Sequence, residues 1–174
     1  DALVDNRVVR TWLYFGMFWL MVTPSVGVLI SSTFNYPDYL GSGNLELTFG
    51  RLRPVHVNGV IFGAFSTLFI GLCYYLVPRL SGVRVIWSEW SVLLAWVWNI
   101  ATLAGLVGLL FGDSDGLEAG EFPLYAKVAF FIVVAVATAQ FLITISRRLE
   151  PAIYVALWYL IATFVWTTMN FVLG

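Results

Sequence analysis

The chain alternates between long apolar stretches and short polar segments. Five stretches each come close to the length, about 20 residues, that a helix needs to cross the hydrocarbon core of a membrane. Their approximate limits are 8–31, 55–77, 86–111, 125–145 and 153–173. None of them alternates apolar and polar residues with a period of two, which argues against a membrane β-barrel. The pattern therefore predicts an all-α protein with five transmembrane helices.

The polar segments between the stretches carry turn-forming residues and most of the charge. The segment 112–116, for example, reads Gly-Asp-Ser-Asp-Gly, a composition typical of loops. Each segment is too short to fold by itself, and the chain shows no internal repeat. We therefore predict that residues 1–174 form a single transmembrane domain.

Composition supports this placement. Of the 174 residues, 60% are hydrophobic and only 11% are charged, whereas a soluble domain is about half apolar and a quarter charged. This small number of charged residues is insufficient for the water-exposed surface of a soluble protein. We therefore expect the chain to lie in a lipid bilayer. The formal net charge of -1 offers no basic stripe for nucleic acid, which excludes that class of partner.

The distribution of cations predicts the orientation, because Lys and Arg concentrate in short cytoplasmic loops. Three of the nine cations fall on the side opposite to the N-terminus: Arg51, Arg53 and Lys127. The other six share the side of the N-terminus: Arg7, Arg10, Arg79, Arg84, Arg147 and Arg148. We therefore expect a cytoplasmic N-terminus and an external C-terminus.

His56 is the only histidine in the chain. It follows Pro54, and proline suits the opening of a helix because its missing N–H is not needed there; this predicts that His56 lies in the first turn of the second span. A neutral imidazole at membrane depth needs a partner, and it is a common axial ligand of heme iron. Residue type alone favours the alternative, an interfacial histidine bonded to a neighbouring loop.

Gly59 and Gly63 share a helical face with His56 and leave a strip without side chains beside the imidazole. If a cofactor lies there, these two glycines would face it. Close packing of another helix against small residues is the commoner meaning of such a strip. The strip therefore permits a macrocycle without indicating one.

Arg51 and Arg53 lie just upstream of His56 on the predicted outer side, against the usual positive-inside bias. A guanidinium group binds carboxylates through paired hydrogen bonds, which suits the propionates of a porphyrin held by His56. Snorkelling to lipid phosphate explains either arginine alone equally well. Two arginines beside a lone histidine favour the carboxylate interpretation.

Glu118 and Glu121 stand three residues apart in the loop before the fourth span. Carboxylate oxygens are ligands that calcium prefers, so a calcium site is one interpretation of this pair. A solvated acidic loop is the commoner one, and the loop does not match a complete calcium-binding motif.

Several runs carry a family resemblance. Residues 49–56 read Phe-Gly-Arg-Leu-Arg-Pro-Val-His, 74–79 read Tyr-Tyr-Leu-Val-Pro-Arg, 116–121 fit Gly-x-Glu-x-x-Glu, and 147–151 fit Arg-Arg-x-Glu-Pro. Together they make the chain similar, over essentially its whole length, to subunit I of the C-family heme-copper oxidases, the cbb-type cytochrome c oxidases. The resemblance implies the first five helices of a fold with about twelve, in the bacterial cytoplasmic membrane.

The resemblance also implies roles for the candidate residues. His56 corresponds to an axial ligand of the low-spin heme b, Arg51 and Arg53 to partners of its propionates, and Glu118 and Glu121 to candidate calcium ligands. The implied function is to pass electrons from c-type cytochromes through heme b towards a heme-copper center where oxygen is reduced to water. The implied partners are the remaining part of subunit I and c-type cytochrome subunits.

One histidine is too few for the whole reaction center. In the family, the second ligand of heme b, the ligand of the high-spin heme and the three copper ligands come from later helices. We therefore expect this chain to be part of an oxidase and not catalytic alone, with copper and the high-spin heme on another segment. It would be the front portion of a split subunit, a piece of a longer chain, or a relative that has lost catalysis.

Two other functions stay open on the sequence. The large subunit of nitric oxide reductase shares the fold and also carries a heme-ligating histidine on its second helix. A shortened relative could instead be a membrane scaffold or a single-heme cytochrome without catalytic function.

Overall fold

The computed structural model describes residues 2–37, 40, 43–117 and 120–173 of the chain. Five helices in it are long and apolar enough to cross a membrane. They are α1 (Asn6–Ser32), α2 (Phe49–Ser81), α3 (Ser91–Phe111), α4 (Leu124–Ser146) and α5 (Val155–Leu173). Single 3₁₀ turns at Leu45–Leu47 and Ser88–Trp90 precede α2 and α3. The described ranges contain no strand, so the predicted all-α fold with five spans is confirmed.

The start of α2 differs from the prediction. The helix begins at Phe49, and the amides of Arg51 and Leu52 both donate to the carbonyl of Thr48 at 3.0 Å. Pro54 therefore lies inside the helix, and His56 lies in the third turn instead of the first. Arginine and leucine favour helices, and the lead-in is helical although Pro54 provides no N–H donor within it.

Buried and partly buried aromatic rings pack together where α2, α3 and α4 meet. The rings of Phe62 and Phe130 stack with their centroids 5.1 Å apart, and Trp98 packs on Phe130 at 4.5 Å. Phe122 reaches the same cluster from the loop before α4. Such ring pairs add to the stabilisation that burial of their apolar area provides.

Small residues bring α1 close to α2. A Cβ atom added at Gly63 would lie 2.9 Å from Cγ of Trp19, and one added at Gly71 would lie 2.8 Å from Cβ of Trp12. Side chains of α1 therefore rest directly on the backbone of α2. Packing through small residues is a main source of helix association in membranes, where lipid removes much of the hydrophobic driving force.

Buried polar side chains also connect the helices. The amide of Gln140 in α4 accepts from Tyr74 at 2.6 Å and donates to the carbonyl of Trp87 at 2.9 Å. The indole N–H of Trp19 in α1 donates to Asn99 in α3 at 2.7 Å. These bonds satisfy polar atoms that would otherwise be unpaired in an apolar interior.

Enlarging Gly63 should disturb the contact between α1 and α2. We expect Gly63→Leu to lower the stability by about 1–3 kcal/mol, because the new side chain must displace Trp19. Gly50→Leu is the matched control, since a Cβ at Gly50 meets no atom within 4 Å. Thermal unfolding in detergent measures both variants, and equal midpoints would contradict this account of the interface.

Candidate functional site

His56 is held by α1. Its Nδ1 atom lies 2.8 Å from the backbone carbonyl oxygen of Thr23, and its ring lies on Gly27, where an added Cβ would come within 2.6 Å of Cε1. A carbonyl oxygen can only accept, so Nδ1 carries the proton. In the neutral tautomer with the proton on Nδ1, the lone pair lies on Nε2, and none of the described residues hydrogen-bonds to that atom.

This arrangement is the one that metal-binding histidines adopt. In such sites the second ring nitrogen donates to a carbonyl or carboxylate, which fixes the tautomer and makes the ligating nitrogen more basic. The ring of His56 is half-buried, and the backbone of α1 limits its rotation. The geometry of His56 therefore fits an axial ligand of heme iron.

Arg51 lies at the end of α3. Its guanidinium group covers Gly112, which ends this helix with a left-handed φ of 92°; a side chain at that position would overlap the guanidinium. The negative end of the helix dipole favours a cation there. Nη1 of Arg51 is buried and has no hydrogen-bond partner among the described residues. A carboxylate would satisfy this donor, whose burial is otherwise costly.

Arg53 has a different environment. Its Nη1 atom lies 3.7 Å from Oε1 of Glu121, and the Arg53 side chain is 42% exposed against 6% for that of Glu121. Asn58 donates to the other carboxylate oxygen of Glu121 at 2.6 Å. Glu121 thus connects the loop before α4 to α2, and it shares the end of the bundle with the two arginines.

For calcium, the described geometry offers little. Glu118 lies outside the described residues. Both oxygens of Glu121 already contact protein donors, namely Arg53 and Asn58. Within the described ranges no three His, Cys, Asp or Glu residues group together as metal ligands would. Glu121 thus contacts protein donors through both oxygens, and its role as a calcium ligand stays a prediction.

Gly59 and Gly63 face α1. Both are buried, and the nearest atoms to their added Cβ positions belong to Thr23 and Trp19 respectively. Helix packing, the alternative that the sequence left open, is therefore the role that their contacts show. The expectation that this strip also faces a cofactor stays a prediction.

Three contributors to the site were not predicted: Thr23, Gly27 and Asn58. Thr23 acts through its backbone carbonyl, which no side-chain pattern reveals. Gly27 had a detectable signal, since a glycine inside an apolar span indicates close approach of another group. Asn58 lies two residues after His56, so its carboxylate partner could be found only from the fold.

Taken together, one end of a five-helix membrane bundle presents an imidazole whose Nε2 no described residue hydrogen-bonds. The same end presents a guanidinium whose buried Nη1 has no acceptor among the described residues. These groups define a membrane protein with a site suited to a metal-bearing macrocycle that carries acid groups. Residues 7–174 match the family described as Cytochrome C and Quinol oxidase polypeptide I. The chain belongs to this family.

Individual relatives agree with the family assignment. The chain is 32% identical over 173 residues to a cytochrome c oxidase subunit 1 of Rhodobacter capsulatus, a match that covers 97% of this chain and 32% of the relative. It is 34% identical to a cytochrome c oxidase subunit 1 homolog of Azorhizobium caulinodans, over 88% of this chain and 28% of the relative.

A third relative bears on the subtype. The chain is 27% identical to the Cbb3-type cytochrome c oxidase subunit CcoN1 of Stutzerimonas stutzeri, over 88% of this chain and 32% of the relative. The chain thus spans about a third of the length of these relatives. The predicted membership in the oxidase subunit I family is confirmed.

Two substitutions at Glu121 separate its ion pair from its hydrogen bond. We expect Glu121→Gln to cost less than about 1 kcal/mol, because the Arg53 side chain is 42% exposed to solvent that screens the pair, and the new amide oxygen still accepts from Asn58. Glu121→Leu should cost more, about 1–3 kcal/mol, because it leaves the buried Asn58 amide without that acceptor.

Thermal unfolding of the two variants in detergent compares them directly. A larger loss of midpoint temperature for Glu121→Leu than for Glu121→Gln is the expected result. Equal losses would mean that the charge of Glu121, and not its bond to Asn58, stabilises this end of the bundle.

Proposed function

We propose that this chain binds low-spin heme b as part of a cbb-type heme-copper cytochrome c oxidase, with His56 as one axial ligand. The observation that carries the proposal is the hydrogen bond from Nδ1 of His56 to the carbonyl of Thr23. It leaves Nε2 as the nitrogen available to iron. Family membership supports the choice of heme over other metal groups.

His56 contributes a preset ligand. The Thr23 carbonyl holds the tautomer and polarises the ring, which strengthens the electron donation of Nε2. Gly27 lets the imidazole lie against the backbone of α1, so the ring plane is fixed by a rigid helix instead of a loop. A fixed ligand loses little conformational freedom when iron binds, and it changes little between oxidation states.

Arg51 contributes a cation for a propionate. Its buried Nη1 donor suits a carboxylate, and its place at the end of α3 holds it without a counter-ion from the described residues. A positive charge favours the reduced state of a nearby redox group, because reduction adds an electron. Arg53 has Glu121 as an ion-pair partner, so its field on a propionate is partly compensated.

When bound, heme b supplies one-electron transfer at a potential that axial ligation, hydrogen bonding and burial determine. Electrons from c-type cytochrome subunits would pass this site towards a heme-copper center formed by other parts of the enzyme, where oxygen is reduced to water. The names of the relatives favour an oxidase over a nitric oxide reductase. Calcium binding at Glu118 and Glu121 stays a separate prediction; in the structure Oε1 of Glu121 forms an ion pair with Arg53, and Oε2 accepts from Asn58.

The proposed setting is the bacterial cytoplasmic membrane with the N-terminus inside. The ion pairs of Glu121 with Arg53 and of Lys127 with Asp115 lie at the end of the bundle that this orientation places outside. The heme-binding end would then face the side from which soluble or anchored c-type cytochromes donate electrons.

Replacement of His56 tests the proposal. We expect His56→Ala, in the assembled oxidase that contains this chain, to abolish one low-spin bis-histidine heme b signal in reduced-minus-oxidised and magnetic circular dichroism spectra. The control is Asn170→Ala, which alters an exposed polar residue of α5. An unchanged heme spectrum in His56→Ala would mean that His56 binds no iron and that the chain is a structural relative of the oxidase.

Replacement of Arg51 tests the second contact. We expect Arg51→Gln to lower the midpoint potential of heme b by tens of millivolts, on the order of one screened unit charge near the heme edge. Arg51→Lys should lower it less, because the charge remains and only the paired hydrogen-bonding geometry is lost. A potential that is the same in all three proteins would exclude a propionate contact for Arg51.

A further inference from the structure

The helix α2 is not uniformly wound. From Gly59 to Ser66, beginning three residues after His56, it forms a π-helix, in which each turn holds more residues than an α-turn. Such segments are rare, usually insert one extra residue into an α-helix, and frequently occur near functional sites. This segment lies in the same helix as His56, so its winding affects the direction in which the His56 side chain points.

The contacts with α1 show where the extra residue lies. The contacting pairs are Gly59 with Thr23, Gly63 with Trp19, Leu68 with Gly16 and Gly71 with Trp12. Positions on one face of an α-helix recur every three or four residues. Between Gly63 and Leu68 the step is five, so the wide turns absorb one residue there.

The extra residue has a consequence for the direction of His56. An α-helix turns by about 100° per residue. Suppose that the segment were wound as an ordinary α-helix while Leu68 and Gly71 kept their contacts. The part of α2 on the N-terminal side of the segment would then rotate by about 100° around the helix axis. The imidazole of His56 would then turn away from the carbonyl of Thr23.

A side chain of α3 holds the wide turns. Where the π-helix ends, the amide of Thr67 donates to the carbonyl of Ala64. The carbonyl of Phe62 accepts from the indole Nε1–H of Trp98 at 2.9 Å and from the hydroxyl of Thr67 at 3.1 Å. Trp98 is only 2% exposed, so its N–H has no access to water as a substitute.

We propose that Trp98 is a positioning residue: its indole N–H stabilises the π-helical segment and thereby directs His56 at the carbonyl of Thr23. The heme readout of this proposal rests on the proposed function. The register between α1 and α2 does not, so the two can be tested separately.

Disulfide cross-linking measures the register without any cofactor. In a Cys73→Ala background, the pair Thr23→Cys with Gly59→Cys, called the upper cross-link, reports on the N-terminal end of the π-helix. The pair Gly16→Cys with Leu68→Cys, called the lower cross-link, reports on the part of α2 that follows the π-helix. We expect Trp98→Phe to reduce the yield of the upper cross-link by about fivefold to tenfold, the effect of one buried hydrogen bond, and to leave the lower cross-link unchanged.

Two results would overturn the proposal. One is an upper cross-link that forms equally well with Trp98 and Phe at position 98. The other is an equal loss of both cross-links, because that would show a general loss of packing after removal of the indole.

Deletion of Phe65 in the Trp98→Phe variant should restore the register between α1 and α2. If Trp98 only contributed to packing, the deletion would restore nothing. Phe65 is 60% exposed within the π-helix, and its removal lets α2 continue as an α-helix with Gly63 and Leu68 four residues apart. We expect the deletion to restore the upper cross-link, and the heme b spectrum of the assembled oxidase, in the Trp98→Phe variant. Failure of the deletion to restore the cross-link would overturn the proposal.

The heme and cross-link readouts separate the two proposals. If His56→Ala leaves the heme spectrum of the otherwise unaltered oxidase unchanged, the proposed function fails. The cross-linking result still decides whether Trp98 sets the register of α2.

Discussion

The hydrogen bond between Nδ1 of His56 and the carbonyl of Thr23 is the interaction on which the site depends. It determines which ring nitrogen is free, and it requires α1 to lie against the ring. That approach is possible because Gly27 places no side chain in the way. Gly59 and Gly63 keep the same two helices close along the next turns, so the packing of α1 on α2 and the state of the imidazole have one cause.

The charges at this end of the bundle divide into two groups. Glu121 forms an ion pair with Arg53 and accepts a hydrogen bond from Asn58, and so joins the loop before α4 to α2. Arg51 instead lies over the end of α3 with a buried donor that no described residue satisfies. Two arginines that look equivalent in the sequence therefore have distinct roles, one in holding the loop and one suited to an external carboxylate.

The sequence predicted the spans well because apolar length alone identifies a membrane helix. Outside α2, the predicted limits differ from those of the structure by at most five residues. In α2, Pro54 suggested a helix start, but Thr48 and the helix-favouring Arg51 and Leu52 begin the helix earlier. Residue type alone suggested His56 and Arg51 as candidates for contacts with a heme, and these roles stay predictions.

What the sequence could not show depends on backbone atoms and on distant contacts. The carbonyl of Thr23 has no side-chain signature, and the packing role of Gly59 and Gly63 could not be told from a cofactor-facing role by spacing. The π-helix is also invisible in the sequence. It is seen from the contacts between α1 and α2, where the contacting positions Gly63 and Leu68 are five residues apart instead of three or four.

The most direct test of the central claim is a high-resolution cryo-EM map of the assembled membrane complex that contains this chain. The account predicts porphyrin density whose iron is bonded to Nε2 of His56, with Nδ1 still on the carbonyl of Thr23 and a propionate at Arg51. Density in which His56 contacts no iron, or in which iron is bound through Nδ1, would contradict it.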